Sequence, residues 1–165
     1  MARNFTIQWE PPEVSLPSAA FAEFSTQNNR PVNALDPSAD ESVVLEGILP
    51  AEYTGAGSLK LRLLAMANTT TSSHKARLSA VTEFRTPGAA ESGNSDAFDG
   101  TPDAATMTFS ATAYSIQSLI ITLTPATTPA SGDKFRIKVT RDADHVSDDD
   151  LPVDLLILGY ELYEE

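Results

Sequence analysis

Six aspartates lie within thirteen positions near the carboxyl end of this chain of 165 residues. Ca²⁺ takes about 6–8 oxygen ligands, many from carboxylates, so the segment has the composition of a cation site. Asp142, Asp144 and Asp148 are the residues that would ligate such a cation. Their spacing does not follow the EF-hand pattern D-x-[DN]-x-[DN]-G. The alternative is a solvated turn whose aspartates accept backbone N–H groups, and we predict neither a cofactor nor a metal needed for folding.

Cations recur at alternate positions in three other segments. Seven of the eleven lysines and arginines follow this pattern: Lys60, Arg62, Lys75, Arg77, Lys134, Arg136 and Lys138. Alternate residues of a strand share one face, so neighbouring strands of this kind give a sheet a cationic outer surface. In a chain with a net charge of −12, such a surface indicates docking to an acidic protein.

The partner-binding candidates on these strands are Lys60, Arg62, Lys134 and Arg136. The alternative to docking is cross-strand pairing within the protein, which stabilises a sheet by a few tenths to about one kcal/mol per pair. The glutamates available for such pairing are Glu23, Glu46, Glu83 and Glu161.

The first seventeen residues have the pattern of an extended arm. Phe5, Ile7 and Trp9 alternate with polar residues, which predicts a strand. Pro11 and Pro12 follow after Glu10; they cost ladder hydrogen bonds but fix an extended path. An arm over residues 1–17 reaches a neighbouring subunit by strand addition, with its three apolar side chains as partner-binding anchors. The alternative is an ordinary edge strand with Trp9 in its own core.

Signatures of enzymes are missing from the sequence. It has no cysteine, and its two histidines, His74 and His145, are far apart. No H-E-x-x-H, G-x-S-x-G, G-x-x-x-x-G-K-[ST] or G-x-G-x-x-G pattern occurs, so we predict no enzymatic activity. The pI of about 4.4 argues against binding to nucleic acid. No apolar run reaches the roughly 20 residues that a membrane-spanning helix needs.

The elements that must position these groups are strands. Alternation of apolar and polar residues recurs between Pro, Gly, Asn and Asp clusters and predicts about nine or ten strands. No amphipathic helix of ten or more residues is evident, which favours an all-β sandwich or barrel. We expect one domain over residues 18–165, with a long loop at residues 86–105. The alternation places six aliphatic residues in the core: Leu59, Leu61, Leu63, Leu78, Ile137 and Val139.

Two stretches resemble small jelly-roll proteins encoded in the structural gene clusters of tailed phages. The first has LEGILPAEY at residues 45–53 and GSLKL at residues 57–61, and is similar to their segment LP-x-x-Y-x-G … L-x-L. The second has GDKFRIKVTRD at residues 132–142, and is similar to their strand G-D-x-x-R-x-x-x-x-R-D.

The resemblance implies a jelly-roll-like β-sandwich of antiparallel strands in a virion, and it carries over no catalytic residue. We therefore expect a bacteriophage structural protein, namely a capsid cement or decoration protein that lies at the particle surface, binds the outer shell and bridges its subunits. The expected partners are the major capsid protein or other virion proteins, with further copies of the chain in a dimer or trimer. The alternative is a tail or neck appendage module that binds a host receptor or a carbohydrate.

Overall fold

The alternating sequence forms ten β-strands in the computed structural model, which describes residues 3–70, 73–88 and 98–165. The strands are β1 (Thr6–Trp9), β2 (Glu23–Gln27), β3 (Arg30–Leu35), β4 (Glu41–Ile48), β5 (Leu59–Met66), β6 (Lys75–Arg85), β7 (Asp99–Thr108), β8 (Gln117–Thr122), β9 (Lys134–Arg141) and β10 (Leu155–Glu164). One short 3₁₀ helix, Pro11–Glu13, follows β1. Across this part of the chain, no helix is long and apolar enough to cross a membrane.

The strands form two antiparallel sheets. Sheet A has the order β2-β3-β10-β5-β8, and β1 pairs with β10 on the same side as β3. Sheet B has the order β4-β9-β6-β7. From β3 onward the chain follows the jelly-roll winding, since β3, β10, β5 and β8 lie in one sheet and β4, β9, β6 and β7 in the other. The predicted jelly-roll-like β-sandwich is therefore confirmed.

The core lies between the two sheets, and it follows from the period of two in the strands. The six aliphatic residues predicted for the core are all buried: Leu59 is 4% exposed, and Leu61, Leu63, Leu78, Ile137 and Val139 are 0% exposed. Complete burial of such a side chain stabilises the fold by about 1.5–3 kcal/mol. A second, smaller cluster of Val32, Ala34, Met66 and Leu156 covers part of the outer face of sheet A.

The N-terminal strand belongs to the sandwich. β1 pairs with β10 from Thr6 opposite Tyr163 to Trp9 opposite Tyr160. Phe5 and Trp9 are buried in the core. The expectation of an arm held away from the domain is corrected accordingly, because β1 satisfies backbone groups of β10 and its aromatic side chains leave water. The sequence left two alternatives, an arm that reaches a neighbouring subunit and an edge strand of the same domain. The structure shows the edge strand.

One tight turn joins β2 to β3, and one further segment differs from the sequence prediction. β3 begins at Arg30, directly after the turn. Asn28 and Asn29 both have positive φ angles, 51° and 64°, as a two-residue type I′ hairpin requires, so β2 and β3 form a tight hairpin. The loop predicted at residues 86–105 ends earlier than expected, because β7 begins at Asp99 and pairs with β6. Residues 89–97 of that loop lie outside the described residues.

Candidate functional site

The acidic segment, residues 142–154, is anchored by one buried arginine. Arg141 is the last residue of β9, and its side chain points into the sandwich. Its Nε and Nη2 donate to the two carboxylate oxygens of Asp149 at 3.0 and 2.8 Å. Its other donations go to backbone carbonyl oxygens of Leu35, Leu151 and Val153, at 3.0, 2.7 and 3.0 Å. The pair of Arg141 and Asp149 therefore holds the acidic segment against both sheets.

Other aspartates of the segment are engaged with β6. Asp142 and Asp148 accept hydrogen bonds from the Arg77 guanidinium at 3.0 and 3.1 Å. Asp150 accepts the backbone N–H of Lys75 at 2.6 Å, and this hydrogen bond is the main cause that lowers the pKa of Asp150. The sequence left two alternatives for this segment, a cation site and a turn held by hydrogen bonds to its aspartates. These contacts are those of the turn.

The candidate cation site uses two of the three predicted ligands, Asp142 and Asp144. Asp40, Asp142 and Asp144 bring one carboxylate oxygen each to within 4.8 Å of one another. Asp40 comes from the connection between β3 and β4, outside the acidic segment, and accepts the backbone N–H of Ala143 at 2.8 Å. The predicted ligand Asp148 instead pairs with Arg77. These three carboxylates are the described residues that could hold a metal ion, and Asp142 also has the guanidinium of Arg77 at 3.0 Å.

The outer face of sheet B gathers cations because β6 and β9 are neighbours. The register sets three rows across β4, β9 and β6. They are Ile48–Lys134–Arg85, Glu46–Arg136–Glu83 and Val44–Lys138–Val81. We call the four cations of these rows, Arg85, Lys134, Arg136 and Lys138, the cationic face. Only two carboxylates stand among them in the rows, so these rows carry more cations than carboxylates within a protein of net charge −12.

The two carboxylates of the cationic face differ in how they are used. Glu83 is buried, paired with Arg136 and with Nη2 of Arg85 at 2.9 Å. Glu46 is half exposed and lies 3.8 Å from the ammonium of Lys134. Lys138 has no carboxylate partner within the described parts of the chain. Charge on this face is therefore neutralised around Glu83 and available at Lys134 and Lys138.

An aromatic ring and a segment of the N-terminal region border the cationic face. The Phe98 ring lies 5.0 Å from the Arg136 guanidinium and 5.8 Å from the Lys138 ammonium. Residues 15–18 form the opposite wall. Two backbone hydrogen bonds of 2.8 Å between Ser15 and Val44 hold this wall beside β4.

Two adjoining grooves run across the cationic face. One has a volume of about 260 Å³ and lies beside Arg85 and Lys134; the other, of about 290 Å³, lies beside Lys138 and Phe98. Glu46 and Arg136 line both grooves, so the two meet around these side chains. We call the combined depression the furrow.

The structure separates the predicted partner-binding residues. Lys134 and Arg136 lie on the cationic face, whereas Lys60 and Arg62 lie on β5 in sheet A and do not belong to this face. Lys60 pairs with Glu165 at 2.7 Å and Arg62 with Glu161 at 2.6 Å.

The three predicted apolar anchors also lie away from the cationic face. Phe5 and Trp9 are buried, and the half-buried Ile7 packs against the same core. Trp9 donates from Nε1 to the carbonyl oxygen of Glu46 at 3.1 Å, and its ring meets Phe135 edge-on at 6.0 Å. These side chains are therefore unavailable to a partner of the folded chain.

Arg85 was missing from the sequence candidates. Arg85 continues the alternate phase of Lys75 and Arg77 along β6, so that phase was the signal that could have identified it. Phe98 precedes β7 without any periodic pattern, and its contact with Arg136 depends on the fold.

Comparison with protein-family models and with curated protein sequences gives no match. Among solved structures, the chain is similar to the CBM36-1 domain of a multidomain xylanase from the hindgut metagenome of Trinervitermes trinervoides. The TM-score is 0.55, with 11% sequence identity over 96% of each chain. A family GH115 4-O-methyl-α-glucuronidase with specificity for decorated arabinogalactans also matches, with a TM-score of 0.49 and 12% identity over 96% of this chain and 17% of that one. The likeness to the CBM36-1 domain shows a shared β-sandwich fold.

Proposed function

We propose that this protein is a non-catalytic virion structural protein that attaches to the outside of a capsid shell and stabilises it by bridging shell subunits. The observation that carries the proposal is the cationic face, where Arg85, Lys134, Arg136 and Lys138 converge on one sheet of an acidic protein. The resemblance of residues 45–61 and 132–142 to jelly-roll proteins of tailed phages supports the virion setting.

Charge sets the orientation of attachment. A chain with a net charge of −12 is repelled by an acidic shell surface everywhere except where its own cations are concentrated. The cationic face therefore turns toward the shell, and complementary charge mainly raises the rate and selectivity of docking. Affinity per copy need not be high, because a ligand that binds the assembled state stabilises it by mass action over many copies.

The proposed partners are the major capsid protein and further copies of this chain. A dimer or trimer suits the role, since closed symmetric oligomers are common and a shell presents matching symmetry axes. Several linked contacts per oligomer raise the overall avidity without any new interaction.

Attachment to capsid shells prepared without the protein tests the proposal. We expect the wild type to sediment with the shells, and the bound fraction to fall as salt rises from about 0.05 M to about 0.5 M. Lys134→Glu should weaken attachment, whereas Arg30→Glu, the same charge change at the exposed β2–β3 turn, should leave it unchanged. Equal attachment of both variants and the wild type, at low salt, would reject the proposal.

A second candidate is a carbohydrate-binding module on a tail or neck appendage. It is favoured by the shared fold with the CBM36-1 domain of a xylanase and by the Phe98 ring beside the furrow. Antibody labelling of purified particles in the electron microscope separates the two candidates. Label distributed over the shell supports the capsid protein, and label confined to one vertex supports the appendage.

A further inference from the structure

We infer that the furrow binds an extended acidic polypeptide segment, laid along β9 with a carboxylate at every second residue. The inference rests on the proposed function, since it names the part of the partner that the cationic face recognises.

The spacing of the cations matches an extended polypeptide. Lys134, Arg136 and Lys138 occupy alternate positions of β9 and point outward, so they recur at about 6.6 Å, twice the rise of a strand. An extended peptide has the same rise, and its alternate side chains also share one face. Carboxylates at every second residue therefore meet successive cations without a change of register.

The two outer cations are available to such a ligand. The side chain of Lys134 is 63% exposed and its contact with Glu46 is long, at 3.8 Å. Lys138 pairs with no carboxylate among the described residues, and its ammonium lies 5.8 Å from the centre of the Phe98 ring. Arg136, between them, is held by Glu83, which fixes the centre of the row. The site thus offers two lysines, whose Cα atoms are about 13 Å apart, on either side of a positioned guanidinium.

The walls of the furrow favour ion pairing. Leu16 and Val44 line one side of the groove at Lys138, and Phe98 lines the other. An ion pair is stronger where the effective dielectric constant is lower. A carboxylate that packs against these apolar side chains therefore gains more from Lys138 than it would in open water.

Binding of labelled peptides to the full chain tests the inference. The probe is a nine-residue peptide with Glu at every odd position and Thr between. Its control has the same composition in the order EETTEETTE, in which no two Glu residues are two positions apart. Fluorescence anisotropy at low salt should show the alternating peptide bound about fivefold more tightly. Lys138→Glu should weaken that binding by about fivefold, because it removes one attraction and adds one repulsion. Arg30→Glu, with the same change in net charge, should change it less than about twofold.

Three results would overturn the inference. Equal affinity for the two peptides would mean that net charge alone is recognised. An unchanged affinity of Lys138→Glu, with circular dichroism confirming that it is folded, would place the site elsewhere. Tighter binding of an oligogalacturonate than of the alternating peptide would indicate an acidic polysaccharide.

The peptide test and the shell test fail independently. Loss of shell attachment in Lys134→Glu without peptide selectivity would reject the inference and leave the proposed function standing. If the chain binds the alternating peptide selectively but does not attach to capsid shells, the proposed function is rejected. The inference that the furrow binds an acidic peptide then stands.

Discussion

The guanidinium of Arg141 and the carboxylate of Asp149 form a bidentate pair inside the sandwich, with their side chains 0% and 1% exposed. The same guanidinium donates to carbonyl oxygens of three other residues, one of them at the end of β3. One side chain therefore links sheet B, sheet A and the acidic segment. A buried charge is tolerated here because every donor of the guanidinium has a partner.

Replacing Arg141 should destabilise the protein far more than a change at an exposed residue of the acidic segment. Arg141→Met leaves Asp149 charged, buried and without its cation, which costs about 3–5 kcal/mol. Asp144→Asn, at an exposed position of the same segment, should change the free energy of unfolding by less than about 0.5 kcal/mol. Urea unfolding followed by fluorescence measures both, since Trp9 is the only tryptophan and is buried. Equal stability of the two variants would contradict the anchoring role.

Glu164 should make stability depend on pH in the acid range. Burial opposes its ionisation, but hydrogen bonds from the Asn4 side chain, the backbone and hydroxyl of Thr54 and the backbone of Gly57 outweigh this and lower its pKa to about 2. A folded pKa below the unfolded value near 4.5 contributes stability that is complete above the unfolded pKa. That contribution, on the order of 2 kcal/mol, is lost as pH falls through the folded pKa.

The matched variant for this prediction is Glu164→Gln. The wild type should lose stability between pH 5 and about pH 2 more steeply than the variant, measured by urea unfolding at each pH. The two slopes should agree above about pH 5, where the glutamate is ionised in both the folded and the unfolded chain. Parallel profiles over the acid range would show that Glu164 does not titrate as its hydrogen bonds indicate.

Local alternation in the sequence predicts which residues of a strand are buried. It does not predict which strands become neighbours or which distant side chains meet. Leu61 and Ile137 follow directly from the period of two. Lys60 and Lys134 have the same local pattern, and only strand pairing puts them on opposite sheets. Position 141 falls in the inward phase of β9, yet nothing local indicates that an arginine there would find Asp149 and three carbonyl groups. The candidate site was therefore predictable as alternating cations, and its composition followed from long-range pairing.

A methyl group at Gly47 should disturb the aromatic packing beneath β4. A Cβ added there would lie 2.8 Å from Cζ of Phe135, which is 1% exposed and packs edge-on against Trp9. We expect Gly47→Ala to reduce the free energy of unfolding by about 1–3 kcal/mol, because the ring has little room to move. Gly159→Ala is the control, since its Cβ would meet the carbonyl oxygen of Trp9 at an ordinary 3.5 Å. Thermal unfolding should rank Gly47→Ala clearly below Gly159→Ala, and the reverse order would refute the packing argument.

Removal of divalent cations should leave the fold intact, although Asp40, Asp142 and Asp144 are close together. The acidic segment is already held by the buried Arg141, and by Arg77 through Asp142 and Asp148, so its conformation does not depend on a further cation. We expect an excess of EDTA to shift Tm by less than about 2 °C, and Arg77→Gln to lower it by more, because two ion pairs are lost. A fall of ten degrees or more on chelation, about 3 kcal/mol for a chain of this size, would instead identify the three carboxylates as a structural metal site. Restoration of that loss by Ca²⁺ in the wild type, but not in Asp144→Asn, would assign the ligand.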